Sequence, residues 1–559
     1  MAKNLRIGEV LLESGAITQE QLDEALKAQK ADRSKKLGQH LIDLGFVSEE
    51  TMLIALSEKL GYPVISIETY QVNVDAVAKI PVELAKKYSM IAIDFKDDGN
   101  TLVVATNDPL NFYGLEDIRL VTNLHIEINL ALKKDISQAI DYYYSQVSSK
   151  EAAENINENA DDFVINDEDM FNSEDDDTPV VKLLNSLLLR GYNEGASDIH
   201  IEPFEDEIFI RMRIDGMLID MMKLSIKVRD PLTVRAKILA GMDITEKRLP
   251  QDGHIIVTIN NIKMNLRVSV VPTVHGEKIV MRYLNTNTPI DNGNTFGMDD
   301  KDYKKVVEMM NQPNGIIYVT GPTGSGKTTT LYLVMQSLAK RRINIETIED
   351  PVEQQLDRIN QVQVNNQAGM TFESGLRALL RQDPDIIMVG ETRDAQTASI
   401  SVRAAITGHL VVSTLHTNDA ISTVVRLEDM GIEPYLVANS LVGVIAQRLV
   451  RKVCPYCGEL VAASPEDQRI AKKKIDYVVK AKGCHMCNNT GYKGRVAVHE
   501  IIMFDHHLRK MINDRADNGA MLSYIQQNQD FRTLFDEALE LVENKLTTIE
   551  ELKRIVTTD

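Results

Sequence analysis

Apolar positions in residues 6–59 recur in two copies at an offset of 30. Ile7-Gly8 is matched by Leu37-Gly38, Leu11-Leu12 by Leu41-Ile42, Ile17 by Val47, and Ala25-Leu26 by Ala55-Leu56. Within each copy the spacing predicts two short helices. Gly15 and Gly45 supply a left-handed stop after the first helix, and Thr18 and Ser48 cap the second. Glu20 and Glu49-Glu50 then fall in the first turn, where the helix dipole favours them. Further on the pattern changes to short, continuous apolar runs. Residues 315–320, 344–351, 385–391 and 409–416 read as apolar strands, and 329–335 reads as a helix. No apolar run reaches the roughly 18–20 residues that cross a bilayer. Glu9 and Glu13 interrupt what would have to be the apolar core of a signal peptide, so the expectation is a cytoplasmic protein.

Length and charge refine this picture. The 559 residues predict about three to five domains. The formal charge of −20 is concentrated: residues 150–178 hold twelve acids and one base, so this stretch reads as a solvated acidic linker. It separates an N-terminal module from a larger body. No basic stripe with interleaved aromatics appears in that body, and nucleic acid is not an expected partner.

The strongest chemical signal is Gly321-Pro322-Thr323-Gly324-Ser325-Gly326-Lys327-Thr328, which fits G-x-x-x-x-G-K-[ST] in full. It lies between a predicted strand and a predicted helix, the context in which successive backbone N–H groups and a helix N-terminus bind phosphate. Gly321, Thr323, Gly324, Ser325, Gly326 and Thr329 would line the phosphates. Lys327 would reach the β/γ-phosphates of ATP, and the Thr328 hydroxyl would ligate Mg²⁺. Three apolar strands ending in polar groups follow, at Glu349, Glu391 and His416. Glu391 is the preferred residue to orient the attacking water, with Glu349 the other candidate and His416 a γ-phosphate sensor. Gly390 stands where a P-loop NTPase often has Asp.

Cys454-x-x-Cys457 and Cys484-x-x-Cys487 are two knuckles separated by 26 residues, a spacing that favours a closed tetrahedral Zn²⁺ site. Residues 451–495 around them carry ten Lys/Arg and four Asp/Glu, a basic finger on an acidic chain.

The segments Gly-Pro-Thr-Gly-Ser-Gly-Lys-Thr-Thr, Thr-Ile-Glu-Asp-Pro-Val-Glu (347–353), Leu-Arg-Gln-Asp-Pro-Asp-Ile-Ile-Met-Val-Gly-Glu (380–391) and Thr-Gly-His-Leu-Val-Val-Ser-Thr-Leu-His-Thr-Asn-Asp (407–419) resemble the Walker A, Asp, Walker B and His boxes of the PilB/GspE secretion ATPases. Gly at position 390 is normal in that family. The resemblance implies an α/β fold: a RecA-like P-loop domain at 291–559 with a zinc-binding insertion at 451–495 and a helical C-terminus. Before it would come a PAS-like α/β domain at 179–290, an acidic linker at 146–178 and an MshE-like module at 1–145. It also implies that Arg267, Arg282, Arg377 and Arg381 complete the active sites of a homohexamer. The activity implied is hydrolysis of MgATP to extend a type IV pilus through an inner-membrane platform protein, at the inner face of the cell membrane. Type II secretion and a nucleotide-controlled regulatory scaffold are the alternatives.

Arg6-Ile7-Gly8, Gly15, Leu22, Leu26 and Gln29, with Lys36, Gly38 and Gly45 in the second copy, resemble the tandem cyclic-di-GMP-binding motif of such modules. The implied roles are Arg6 on a guanine edge, with Gly8 and Gly38 allowing close backbone approach. Lys36 replaces Arg and Lys59 replaces Gln, so the second half of the motif is altered.

Overall fold

The computed structural model describes residues 6–32, 35–67, 69–96, 99–158, 178–284 and 296–556. They form two compact units: residues 1–214 with 218–283, and 284–559 with the short segment 215–217.

The first unit opens with the two predicted helix pairs, Ile7–Glu13 with Gln19–Ala31 and Leu37–Asp43 with Glu49–Leu60. Gly15 and Gly45 both adopt φ +72°, as the stop signal requires. The Thr18 hydroxyl accepts from Gln21 N at 3.3 Å, and the Ser48 hydroxyl from Thr51 N at 3.1 Å. Gly8 and Gly38 each face the second helix of their pair. A Cβ on Gly8 would sit 2.7 Å from Leu22 Cδ1, and one on Gly38 would sit 3.2 Å from Met52 Sδ. Both glycines let the helices of a pair approach each other.

A three-stranded sheet follows, β1 (Met90–Lys96), β2 (Thr101–Thr106) and β3 (His125–Leu130), antiparallel then parallel. Helix Lys133–Glu158 comes next and corrects the linker expectation, because it runs past 146, where a solvated linker was predicted. Ala and Glu in residues 150–158 have high helix propensity, and low hydrophobicity does not prevent a helix that is anchored at its other end. Of the acidic stretch, residues 159–177 lie outside the described residues.

The second sheet of this unit contains β4 (Ala196–Pro203), β5 (Glu207–Ile214), β6 (Met217–Ser225), β7 (Gln251–Ile259), β8 (Ile262–Thr273) and β9 (Gly276–Tyr283), in the order β6-β5-β4-β9-β8-β7. Its sequence alternates with period two. Ile199, Ile201, Ile210, Met212, Leu266, Val268, Ile279 and Met281 point into a core shared with helices Pro179–Asn193 and Arg229–Ala240, and the other face is charged.

The second unit is built on β10 (Gly315–Thr320), β11 (Ile345–Glu349), β12 (Asn360–Gln363), β13 (Ile386–Val389), β14 (Leu410–Leu415) and β15 (Leu441–Val453). A two-stranded ribbon, β16 (Gly458–Ala462) and β17 (Tyr477–Ala481), leads to β18 (Tyr492–Met503). The main sheet runs β12-β11-β13-β14-β10-β15-β18, parallel except for the antiparallel pair β15–β18. Strands β10, β13 and β14 are buried along their whole length and mostly apolar, as a parallel sheet covered on both faces requires. Four helices close the chain, as expected: His506–Asn513, Asn518–Asn528, Leu534–Glu543 and Ile549–Val556. Among the described residues, no helix is long and apolar enough to cross a membrane.

Candidate active site

In an open parallel sheet, ligands bind beyond the carboxyl ends of the strands. The order β13-β14-β10 therefore brings three predicted elements to one edge: Glu391 after β13, His416 after β14, and the 321–328 loop after β10. The loop turns through Gly321 (φ +144°), Gly324 (φ +78°) and Gly326 (φ +88°), values that side-chain-bearing residues rarely adopt. Helix Lys327–Leu338 starts directly from it. Lys327 Nζ donates to the carbonyls of Gly321 and Pro322 at 2.8 and 3.0 Å, so the ammonium is folded onto its own loop. Burial pulls this amine below the ordinary lysine range, and the charge of Glu391 opposes that pull. A triphosphate in the loop would add negative charge beside this amine. Thr328 is half-buried, and Thr323 and Thr329 are exposed, all open to a ligand.

The Glu391 carboxylate forms an ion pair with the Arg393 guanidinium. The end of β13 is locked to β14, with Thr392 N donating to Thr414 O at 2.9 Å and the Thr414 hydroxyl to Gly390 O at 2.9 Å. A Cβ on Gly390 would lie 3.3 Å from Glu349 Cα, so the close approach of β11 explains why an Asp is absent there. His416 is held below the usual imidazole range by burial first and then by the nearby Lys327 charge. It is therefore neutral near pH 7 and able to donate one hydrogen bond and accept another.

Glu349 is placed otherwise than an open, water-orienting carboxylate. It is buried at the end of β11 and accepts from Thr347 Oγ1 at 2.6 Å, from Gln361 Nε2 at 2.9 Å and from the Tyr332 hydroxyl. Tyr332 also accepts from Glu353 N at 3.0 Å, tying the P-loop helix to the chain after β11.

Sequence reading missed Gln447. It lies on β15, donates to Ser325 O at 2.9 Å and accepts from Thr330 Oγ1 at 2.6 Å. Its backbone carbonyl would be 2.3 Å from a Cβ at Gly321, so β15 forms the wall that shapes the loop. No local motif flags this residue, because the signal is a strand pairing across 120 positions of chain.

The arginines occupy two places. Arg377 lies on helix Phe372–Leu379, bonded to Glu373 at 3.0 Å, and Arg381 donates to Arg377 O at 2.9 Å. Arg267 and Arg282 belong to the first unit, as register partners on β8 and β9.

The four cysteines converge, with every Sγ within 4.8 Å of the others. The Cys454–Cys484 and Cys457–Cys487 sulfur separations are both 3.8 Å, and Cys484–Cys487 is 3.7 Å. Four ligands at the Zn–S distance of about 2.3 Å around a tetrahedron would be about 3.8 Å apart. Cys487 Sγ also accepts backbone N–H bonds from Cys484 and Gly491, both at 3.2 Å. The donor set fits a metal ion.

A family model described as Type II/IV secretion system protein matches residues 173–554. The chain belongs to the type II/IV secretion ATPase family of the PilB and GspE kind. A second model, MshEN domain, matches residues 60–150. The chain is 39% identical over 562 residues to the type IV pilus assembly ATPase PilB of Myxococcus xanthus, covering 98% of both chains. It is 40% identical over 491 residues to the type II secretion system ATPase E of Vibrio cholerae, covering 86% of this chain and 97% of that one. Among solved structures, the Legionella pneumophila ATPase DotB aligns with a TM-score of 0.51 at 22% identity, covering 67% of this chain and 95% of the other. That likeness carries the RecA-like P-loop fold. As a secretion-family member, the protein is a P-loop ATP hydrolase, and the edge at β10, β13 and β14 gathers the P-loop, Glu391 and His416. The MshEN match covers the β1–β3 sheet and its helices, and residues 6–59, where the cyclic-di-GMP motif was expected, precede it. In those residues Arg6 is exposed, Gln29 is half-buried and Lys36 Nζ is engaged by both carboxylate oxygens of Asp108, at 2.7 and 2.9 Å.

Proposed function

We propose that the protein is a homohexameric motor that uses MgATP hydrolysis to drive type IV pilus extension through an inner-membrane platform protein. The observation that carries this is the P-loop, Glu391 and His416 at one sheet edge, in a chain whose full length parallels a pilus assembly ATPase. In this reading Lys327 binds the β/γ-phosphates, Thr328 holds Mg²⁺, and Glu391 orients water once the triphosphate draws Arg393 away from it. Glu349 fixes the geometry of β11. Arg267, Arg282, Arg377 and Arg381 neutralise the transferring phosphoryl group, the first two reaching a neighbouring protomer's nucleotide. The sheet of β4–β9 with its two helices is the PAS-like domain of the motor. Deleting the gene in its own host tests the reading: loss of surface pili with protein secretion intact is expected. The reverse phenotype would reassign the motor to type II secretion, a reading the Vibrio cholerae relative favours.

The tetracysteine cluster is proposed to hold one structural Zn²⁺, supported by the sulfur spacing. Cyclic-di-GMP is the ligand proposed for the N-terminal module, supported by its MshEN match. The Lys36–Asp108 pair then makes the second repeat the weaker half, because Lys cannot reproduce a bidentate arginine contact. Calorimetric titration of the full chain with cyclic-di-GMP is expected to give a binding isotherm that Arg6→Ala abolishes and Lys36→Arg tightens. An isotherm unchanged by Arg6→Ala would place the ligand elsewhere.

A further inference from the structure

Gln447 is a buried, uncharged side chain that meets the phosphate loop along its length. Strand β10 pairs with β15 through Thr320 and Ala446, so the loop leaves its strand beside Gln447. The residue is 3% exposed. Its Nε2 donates to Ser325 O at 2.9 Å, and its Oε1 accepts from the Thr330 hydroxyl at 2.6 Å, in the first turn of helix Lys327–Leu338. A Cβ on Gly326 would lie 2.8 Å from the same nitrogen and 3.7 Å from Leu449 Cδ1. Leu449 is two residues further along β15 and so shares its face with Gln447. The wall of β15 is closed against residues 325 and 326 as it is against Gly321.

The bond to Ser325 fixes more than one atom. A peptide unit is planar and trans, so its C=O and the following N–H point in opposite directions. With Ser325 O held toward β15, the Gly326 N–H points away from it, to the side of the loop that β15 does not cover. Gly326 adopts φ +88°, and among the described residues its N–H has no acceptor in the protein. A backbone donor left open where a helix begins is suited to an anion.

The residue type follows from this arrangement. Ser325 O can only accept, so its partner must donate, and the Thr330 hydroxyl donates to a partner that must accept. An amide does both from one side chain, without placing a charge in a buried position. Glutamate would lose the donor. Methionine would fill much the same space with neither group.

We propose that Gln447 is a positioning residue for nucleotide binding: it orients the Ser325–Gly326 peptide so that the Gly326 N–H donates to a phosphate held in the loop. This rests on the reading of residues 321–328 as the phosphate cradle. Gln447 touches no reacting atom, and the contact it sets up is made to bound phosphate alike before and during phosphoryl transfer.

The test compares the full-length protein with its Gln447→Met, Gln447→Glu, Thr330→Val and Lys327→Ala variants, by steady-state phosphate release and by titration with fluorescent ADP. Gln447→Met is expected to raise KM for ATP and Kd for the ADP by about tenfold or more, as for the loss of one hydrogen bond to a charged group. Its kcat is expected to stay within about threefold of wild type, because ground and transition states lose the contact equally. Gln447→Glu is expected to raise both constants further, with a carboxylate facing the Ser325 carbonyl. Thr330→Val frees the amide to rotate and is expected to give a smaller rise in both. If Gln447→Met fails to fold, Gln447→Glu and Thr330→Val carry the test. A merely structural role would lower the active fraction, and with it kcat, while KM and Kd stay unmoved. That pattern overturns the inference, as do unchanged constants in Gln447→Met and Gln447→Glu while Lys327→Ala collapses. Undiminished turnover by Lys327→Ala would instead remove the phosphate-cradle reading on which the inference stands.

Discussion

Lys327→Ala is expected to remove MgATP turnover, with kcat falling by about 100- to 1,000-fold in a phosphate-release assay. The amine is half-buried, drawn below its ordinary range by burial and hydrogen-bonded to two carbonyls of its own loop. It is the charge in the loop that a triphosphate would meet. Truncation leaves the glycine-shaped backbone cradle, so a fluorescent nucleotide is expected to bind weakly and to be consumed hardly at all. Glu391→Gln should divide the functions differently, keeping nucleotide affinity while removing turnover, since the amide can neither orient water as strongly nor pair with Arg393 as a charge. Undiminished phosphate release by Lys327→Ala would end the motor reading.

The second large effect concerns the metal. Metal analysis of the native protein is expected to find one zinc per chain, and its four thiols should resist modification until zinc is chelated. Apparent binding energies of small structural zinc sites are about 10–16 kcal/mol at neutral pH, so stripping the ion should unfold residues 451–495 locally. The P-loop sheet has its own core of Ile316, Tyr318, Ile387, Val389 and Val411, and is expected to survive. Because the ligands must be thiolates, zinc should be released as pH falls and they protonate. Four thiols that titrate freely in the untreated protein would refute the site.

What the sequence made legible follows from range. The P-loop is eight contiguous residues whose glycines dictate their own backbone, and the cysteine knuckles announce themselves by spacing. The repeat at 6–59 was readable because its stops and caps are local. Gln447 and Tyr332 were not readable. Each acts through a partner more than ten positions away, set by strand pairing that no window reveals. Glu349 stands at a strand end as predicted, but its burial and the three donors on its oxygens come from Tyr332, Thr347 and Gln361, and the two more distant of these no local pattern reveals. The acidic stretch was read by composition, which reports solvation and not whether a preceding helix continues into it.

One feature of the second unit links its chemistry to its periphery. Strand β15 carries Gln447, which grips the phosphate loop, and runs on to Val453, next to the first cysteine, with a shift in its pairing to β18 between Arg451 and Val453. It is hydrogen-bonded to β10 on one side and β18 on the other, and Arg451 is braced by Glu551 at 2.7 Å. A displacement of the metal knuckles would therefore be passed toward the phosphate loop along a hydrogen-bonded strand, whereas a loop would absorb it as slack.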